Sequence, residues 1–181
     1  MNLYKDIPTF ADEKSGILNM VIDIPKESRN KYEYDEEEGY FKLDRVLHHS
    51  MFYPFDYGFI PQTTEPDGDG TDVILLTTYP TFTGCVVKVR LIGVIDTEDE
   101  KGHDPKLIAV PISDIDPRWD EYISVKDIPN HTQNELKLFF KEYKKLEKEK
   151  YEQITIKGFG TREEAYSIIE KAQKRYIEKH T

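Results

Sequence analysis

The sequence predicts an α+β fold that is mainly β: a small closed or nearly closed barrel, followed by two helices packed outside it. Short runs rich in branched residues, separated by turns, fill the first two-thirds of the 181 residues. The apolar period changes from that of strands to that of helices in the last third. Several short strands at this spacing are typical of barrels, and the length predicts one domain over residues 1–181.

The predicted strands follow one another with turn signals between them. In order they are Gly16–Pro25, which alternates apolar and polar residues before a proline; Lys31–Leu47, two strands joined by an acidic turn that ends in Gly39; Asp72–Thr78; Cys85–Asp96; and Leu107–Ile112. Branched residues, which pack well on a pleated surface, dominate the later segments.

Two helices are predicted in the last third, each with its own capping box. Thr132 with Glu135 marks the start of the first helix, which is predicted to run to Lys148 and to carry both Tyr143 and Lys144. Thr161 with Glu164 marks the start of the second. An apolar stripe at helical spacing follows each start and would pack on the barrel. The stripes comprise Leu136, Phe139, Phe140, Tyr143 and Leu146 in the first helix, and Ala165, Ile168, Ile169, Ala172 and Tyr176 in the second.

Composition excludes several classes of function. A net charge of −10 argues against nonspecific nucleic-acid binding, which depends on cationic neutralisation of phosphates. It favours a protein that handles cations, or one that handles anions only through metal ions. Cys85 is the only cysteine, so neither an internal disulfide nor a cysteine zinc cluster can form. The polar N-terminus and the lack of a long apolar run predict no membrane partner and a cytoplasmic location.

Asp67, Asp69 and Asp72 form an acidic cluster at the start of a predicted strand. Hard cations such as Mg²⁺ and Ca²⁺ prefer carboxylate oxygens, and in extended backbone the first two side chains would point the same way. A solvated turn is the competing interpretation, because Asp-Gly pairs are ordinary turn sequences. An EF-hand loop is excluded, since Asp72 and Thr78 occupy the positions that would require glycine and glutamate.

A second acidic group, with Asp96, Asp99 and Asp104, follows the next long strand. Alone it would be interpreted as a solvated loop, but two such groups at strand ends of one small barrel could meet at a single cation site. The candidate groups for binding an anion are Lys31, Arg45, Lys106, Tyr143 and Lys144. Two alternatives to anion binding stay open at this point: Tyr143 could pack in the core, and Lys144 could lie on a solvated face.

Seven segments of the chain occur in the order and spacing of a known family. They are VIDIPK, NKYEYD, LDRVL, MFYPFDYGFIPQT, DGDGTDV, GVIDTEDEKGHDPKLIAVP and FFKEYKKLEK. With these segments the chain resembles the soluble inorganic pyrophosphatases of the Mg²⁺-dependent family I, prokaryotic type. The resemblance implies an OB-like five-stranded barrel with flanking C-terminal helices, which hydrolyses pyrophosphate to two phosphates by a metal-activated water.

The resemblance also implies roles for individual residues. Asp69 stands where the base for the attacking water belongs. Metal-binding positions hold Asp67, Asp72, Asp99, Asp104 and Glu33; phosphate-binding positions hold Lys31, Arg45, Tyr57, Tyr143 and Lys144; supporting positions hold Asp23 and Lys106. Several Mg²⁺ ions per site, replaceable by Mn²⁺ or other divalent ions, and a homo-oligomer, with the hexamer favoured, are implied as well.

The chain departs from the family pattern near the acidic cluster. Gly70 replaces the usual proline and Thr71 a usual apolar residue, so we expect a more flexible loop unless its neighbours hold it. Asp23 stands where glutamate is common and is one methylene shorter, which leaves a direct metal contact open.

Two other functions stay open from the sequence. The barrel could be a non-catalytic module that binds divalent cations or phosphate, although Asp69 between two metal-binding positions favours catalysis. It could also act on larger phosphoanhydrides such as nucleotides, although the chain lacks a glycine loop of the Walker type.

Overall fold

The computed structural model describes residues 1–99, 102–147 and 154–180, and the side chain of Asp99 also lies outside the described part. In chain order the elements are β1 (Phe10–Asp12), β2 (Ile17–Ile24), β3 (Asn30–Asp35), β4 (Tyr40–Val46), β5 (Asp56–Ile60), β6 (Thr71–Leu75), β7 (Val86–Asp99), β8 (Gly102–His103), β9 (Lys106–Pro111), α1 (Asn130–Glu142), β10 (Thr155–Gly160) and α2 (Arg162–His180). No helix within the described ranges is long and apolar enough to cross a membrane.

Five strands close into the predicted barrel. β2, β5, β6, β9 and β7 are hydrogen-bonded in that order, and β7 pairs back onto β2 to complete the ring. All neighbours are antiparallel except β6 and β9, which run parallel. The β3–β4 hairpin forms a separate two-stranded sheet, and β10 pairs with the outer part of β7. The predicted fold, a five-stranded barrel with C-terminal helices, is confirmed.

The apolar core fills the barrel and the spaces beneath the helices. β9 is buried along its whole length, as expected for a strand that has neighbours on both sides and is covered on both faces. Ala165 and Ile169 of α2 join one apolar cluster with the strands. Phe139 and Phe140 of α1 pack on Phe55 in a second cluster. The buried faces of both helices are therefore those that the apolar stripes predict.

The helix starts agree with the prediction in one case only. Glu164 N–H donates to the Thr161 hydroxyl at 3.2 Å, and Thr161 N–H donates to the Glu164 carboxylate at 2.6 Å, so this capping box is confirmed. The box at Thr132 is wrong, because α1 already begins at Asn130, directly after Pro129. Thr132 therefore lies inside the helix, where its hydroxyl is not needed as a cap.

α1 also ends earlier than predicted, at Glu142. Tyr143 caps the helix and Lys144 lies in the turn that follows, so the prediction that both residues lie on the helix is wrong. Leu146, predicted to belong to the apolar stripe, is 57% exposed. The predicted end of the helix at Lys148 lies outside the described residues.

Candidate active site

The site begins where the parallel strands β6 and β9 start side by side. Val73 pairs with Leu107, so the residues that precede them, Asp72 and Lys106, are neighbours. Lys106 is buried, and its ammonium donates to Asp72 Oδ2 at 2.5 Å and to the Asp104 carboxylate. Lys106 thereby joins one aspartate from each of the two acidic groups that were predicted to meet.

The charge of Lys106 is sustained by these carboxylates. Burial alone would lower the pKa of Lys106, but the carboxylates of Asp72 and Asp104 outweigh burial and hold it above its usual range. Asp104 is itself fixed on the backbone, because its N–H donates to the Thr97 carbonyl at 2.9 Å and its carbonyl accepts from the Thr97 hydroxyl. The three charged groups therefore form one fixed unit.

The other members of the second acidic group are placed differently. Asp96 Oδ1 lies 2.8 Å from Nε2 of His103, which belongs to the neighbouring strand β8. Asp99 ends β7 opposite Gly102, but its side chain lies outside the described residues, so its metal-binding role stays a prediction.

Tyr57 and Asp23 border the Asp72 carboxylate. Burial, and then the carboxylates of Asp72 and Asp104, raise the pKa of Tyr57. Strand pairing between β2 and β5 shifts at Asp23, which is the extra residue of a β-bulge, a feature that redirects a side chain. The close approach requires glycine on the partner strand, because a Cβ at Gly58 would lie 1.9 Å from the backbone of β2.

Asp23 carries the most strongly buried carboxyl of this group. Burial raises its pKa first, and the neighbouring Asp72 carboxylate raises it further, while Lys31 lowers it. Among the described residues its Oδ1 is buried without a hydrogen-bond partner. A buried carboxylate oxygen without a donor favours a cation as its partner.

The β3–β4 hairpin supplies the cationic side of the site. Lys31 and Arg45 are paired across the two strands, so the register brings them together. Asp44 lies between them, 3.5 Å from Lys31 Nζ and in contact with the Arg45 guanidinium, and Glu33 pairs with Lys31. Arg45 Nε lies 2.9 Å from Oε1 of the buried Glu147. Burial opposes the charge of Arg45, but Glu147 and Asp44 raise its pKa.

The end of α1 completes this side. The Tyr143 ring stacks on Phe139 with centroids 5.0 Å apart, as expected for a core residue. Its hydroxyl nevertheless belongs to the site, since burial and then the Asp104 carboxylate raise the pKa of Tyr143. Lys144 Nζ lies 5.6 Å from the centroid of the same ring.

The loop that carries Asp67 and Asp69 is a turn, which was the competing interpretation, so the two side chains are not aligned by extended backbone. Asp69 N–H donates to Asp67 Oδ1 at 3.2 Å, which folds the two residues onto each other. The next amide, that of Gly70, donates to Glu36 Oε1 at 3.1 Å. Within residues 1–99, 102–147 and 154–180, no three acidic, histidine or cysteine side chains already converge as a metal cluster.

Gly70 and Thr71 were expected to make this loop more flexible unless its neighbours hold it, and neighbouring elements do hold it. Arg175 of α2 donates to the Thr64 carbonyl at 2.7 Å and pairs with Glu65 at 2.8 Å. Glu65 in turn accepts the Thr71 hydroxyl at 2.7 Å. The hydroxyl that replaces an apolar side chain at position 71 therefore has a structural partner.

The donor set fits a hard divalent cation. The Asp72 carboxylate acts on Asp23 and, together with Asp104, on Tyr57, and Asp23 has a buried oxygen without a hydrogen-bond partner among the described residues. The ammonium of Lys106 already occupies a position between two carboxylates. Because Mg²⁺ keeps several water ligands, one or two of these carboxylates per ion are sufficient.

Sequence reasoning missed four residues that the structure places at the site: Asp44, Tyr53, Glu147 and Glu36. Asp44 and Tyr53 had a signal, since each lies in a segment that was already selected, beside Arg45 and before Tyr57. Tyr53 is buried, and burial followed by the nearby Tyr143 raises its pKa. Glu147 had the same signal, since it lies in the selected segment FFKEYKKLEK, whereas Glu36 gave none, because it belongs to a charged run that resembles solvated surface.

Comparison with known proteins agrees with this arrangement. The family model for inorganic pyrophosphatase matches residues 20–177. The inorganic pyrophosphatase of Sulfolobus acidocaldarius is 46% identical over 159 residues, covering 88% of this chain and 91% of that protein. The inorganic pyrophosphatase of Geobacillus stearothermophilus is 44% identical over 165 residues, covering 91% of this chain and 97% of that protein. The crystal structure of inorganic pyrophosphatase from Thermus thermophilus superposes with a TM-score of 0.91 at 41% identity, covering 98% of this chain and 99% of that one.

Proposed function

Because the chain belongs to the inorganic pyrophosphatase family, we propose that it hydrolyses inorganic pyrophosphate to two phosphates, with Asp69 as the base. One observation carries this proposal: the carboxylates joined by Lys106 lie beside a hairpin that presents Lys31 and Arg45. Cation ligands next to phosphate-binding cations are what a metal-dependent reaction on a phosphoanhydride requires.

Family membership implies dependence on divalent metal ions, and we assign Mg²⁺ as the ion used. Asp67, Asp72 and Asp104 are the proposed main ligands, with Asp99 and Glu33 completing the set. Bound ions would supply Lewis acidity, neutralise the charge of pyrophosphate and lower the pKa of water. Asp23 supports the set through its carboxyl, whose buried Oδ1 has no hydrogen-bond partner among the described residues.

Asp69 accepts the proton of the attacking water in this proposal. It lies in the turn next to Asp67, where its N–H donates to Asp67 Oδ1 at 3.2 Å, and a carboxylate is a group that can accept a proton from water. Lys106 has the complementary task of holding Asp72 and Asp104 in place, because its own charge persists despite burial.

The leaving phosphate is stabilised by the opposite wall of the site. Lys31 and Arg45 balance the negative charge that accumulates on its oxygens, and Lys144 and Tyr57 border the same space. The Tyr143 hydroxyl has a pKa above its usual range, so it stays protonated and donates a hydrogen bond. Fixed donors and cations provide most of what phosphoryl transfer needs, and no covalent phosphoenzyme is required.

We further propose that residues 1–181 form one domain of a cytoplasmic homo-oligomer, with a hexamer as the favoured form. The family match over residues 20–177 supports the single domain, and the single cysteine is consistent with a reducing compartment. The net charge of −10 supports the absence of a nucleic-acid partner, and no membrane partner is proposed.

Phosphate release from a panel of substrates tests the function. We expect release from pyrophosphate in the presence of Mg²⁺, weaker support by Mn²⁺, none after chelation, and little release from ATP or longer polyphosphates. Equal release from ATP would favour the broader phosphoanhydride hydrolase. Tight calorimetric binding of Mg²⁺–pyrophosphate without turnover would favour the non-catalytic binding module.

A further inference from the structure

We infer that Glu36 is a positioning residue for the proposed base, Asp69, and that it acts through the backbone N–H of Gly70. The inference rests on the proposed function, because it takes Asp69 as the base. Glu36 lies in the turn between β3 and β4, and its Oε1 accepts the Gly70 N–H at 3.1 Å. Gly70 directly follows Asp69, so this hydrogen bond fixes the peptide group that joins the two residues.

The turn that carries Glu36 is itself anchored. Asn2 Nδ2 donates to the Glu36 carbonyl at 2.8 Å, and Leu3 N–H donates to the Tyr34 hydroxyl at 2.8 Å. Gly39 closes the turn, with φ of +77° and an N–H bond to the Asp35 carbonyl at 2.8 Å. Both the side chain and the backbone of Glu36 therefore connect fixed parts of the molecule.

Three consecutive amides of the acidic loop each have a side-chain acceptor. Asp69 N–H donates to Asp67 within the loop, and Thr71 N–H donates to the Thr63 hydroxyl at 3.0 Å. The acceptor of Gly70 differs from both, because it is a carboxylate from a separate sheet. The Gly70 bond therefore ties the loop to the turn between β3 and β4, which neither of the other two bonds does.

A residue other than proline at position 70 is a condition for this bond. A proline has no N–H, and its ring would restrict the backbone directly. Here the backbone can donate, and Glu36 supplies the restraint through a hydrogen bond. The surroundings of Gly70 are also tight, since a Cβ there would lie 3.3 Å from the Tyr4 ring and 3.4 Å from Phe59.

The electrostatics agree with a close approach of Glu36 to Asp69. Burial, and then the Asp69 carboxylate, raise the pKa of Glu36 to about 7, while the Gly70 N–H and Lys179 of α2 act in the opposite direction. The Glu36 carboxyl therefore lies near enough to Asp69 for their charges to interact. This closeness is required of a residue that positions the base.

The first experiment compares Glu36→Ala, Glu36→Gln and the control Glu37→Ala. Glu37 lies in the same turn and is exposed, so its removal takes away the same charge without the contact. We expect Glu36→Ala to lower kcat about fivefold, with KM for Mg²⁺–pyrophosphate within about twofold, because Lys31 and Arg45 are untouched. Glu36→Gln keeps a carbonyl acceptor and should restore kcat to within about twofold, while Glu37→Ala should match the wild type.

Hydrogen exchange of the Gly70 amide in the metal-free protein gives a readout that does not depend on activity. Exchange should be at least about fivefold faster in Glu36→Ala than in the wild type or Glu36→Gln. In a Gly70→Pro background, Glu36→Ala should have no further effect on kcat, since the donor is already absent. If Gly70→Pro does not fold, the exchange rates decide alone.

Unchanged kcat and unchanged Gly70 exchange in Glu36→Ala would overturn the inference, as would an equal loss of kcat in the proline background. Failure of the proposed function looks different. If Asp69→Asn retains full turnover, Asp69 is not the base, whatever Glu36 does. If Asp69→Asn is inactive and Glu36→Ala is unaffected, the base stands and only the positioning role fails.

Discussion

Replacing Arg45 by methionine should destabilise the protein by leaving a buried charge without its partner. Arg45 Nε lies 2.9 Å from Glu147 Oε1, and the side chains are only 14% and 4% exposed. At this distance and an effective dielectric constant of about 20, the gross attraction is about 6 kcal/mol, much of which offsets desolvation. Removing one partner of such a pair typically costs about 3–5 kcal/mol, and we expect about 3 kcal/mol for Arg45→Met at pH 8.

Glu147→Gln in the same background provides the matched control. It replaces the unpartnered carboxylate by a neutral amide of equal size, so it should recover about 2 kcal/mol of the loss. Urea unfolding at one protein concentration measures the loss in Arg45→Met and its recovery in the double variant. The reasoning is refuted if Glu147→Gln recovers nothing of the loss.

Two further predictions concern stability away from the ligands. The pKa of Glu36 is raised in the folded protein to about 7 from an ordinary 4.5. The contribution of this carboxyl to the stability of the folded protein is therefore fully present below pH 4.5 and is lost as pH rises through 7. The free energy of unfolding of metal-free Glu36→Gln, measured in urea, should therefore match that of the wild type near pH 4.5. At pH 8 it should exceed the wild-type value by about 1 kcal/mol, after allowance for solvent screening. A difference that is the same at both pH values would contradict this. Thr161→Ala should lower the free energy of unfolding by about 1 kcal/mol and Thr132→Ala by less than about 0.5 kcal/mol, because of the two residues only Thr161 caps a helix. Equal losses in the two variants would show that the assignment of Thr161 as the cap is wrong.

The fold was predictable because periodicity reports which face of an element is buried. Branched runs at regular spacing predicted the barrel, and the stripe around Phe139 predicted the face of α1. The first and last residues of the helices were harder to predict, because a local sequence pattern can occur in more than one position of a helix and does not show which one the fold uses. Thr132 and Glu135 have the spacing of a capping box, yet both lie inside α1, which starts after Pro129.

The closeness of two predicted site residues follows from the strand topology. Asp72 and Lys106 lie at the beginning of the parallel strands β6 and β9, which makes them neighbours. Glu147 and Glu36 could not be found in this way, since each contacts a partner far along the chain. A glutamate in a charged run is identified as buried only when the element that covers it is known.

The turnover of Asp69→Asn, measured at saturating Mg²⁺–pyrophosphate, tests the central claim most directly. Asparagine keeps the size of the side chain but cannot accept the proton of the attacking water, so kcat should fall by about 10²-fold or more. Asp12→Asn, at an exposed position of β1, should retain the wild-type kcat. A folded Asp69→Asn protein that releases phosphate at the wild-type rate would contradict the account.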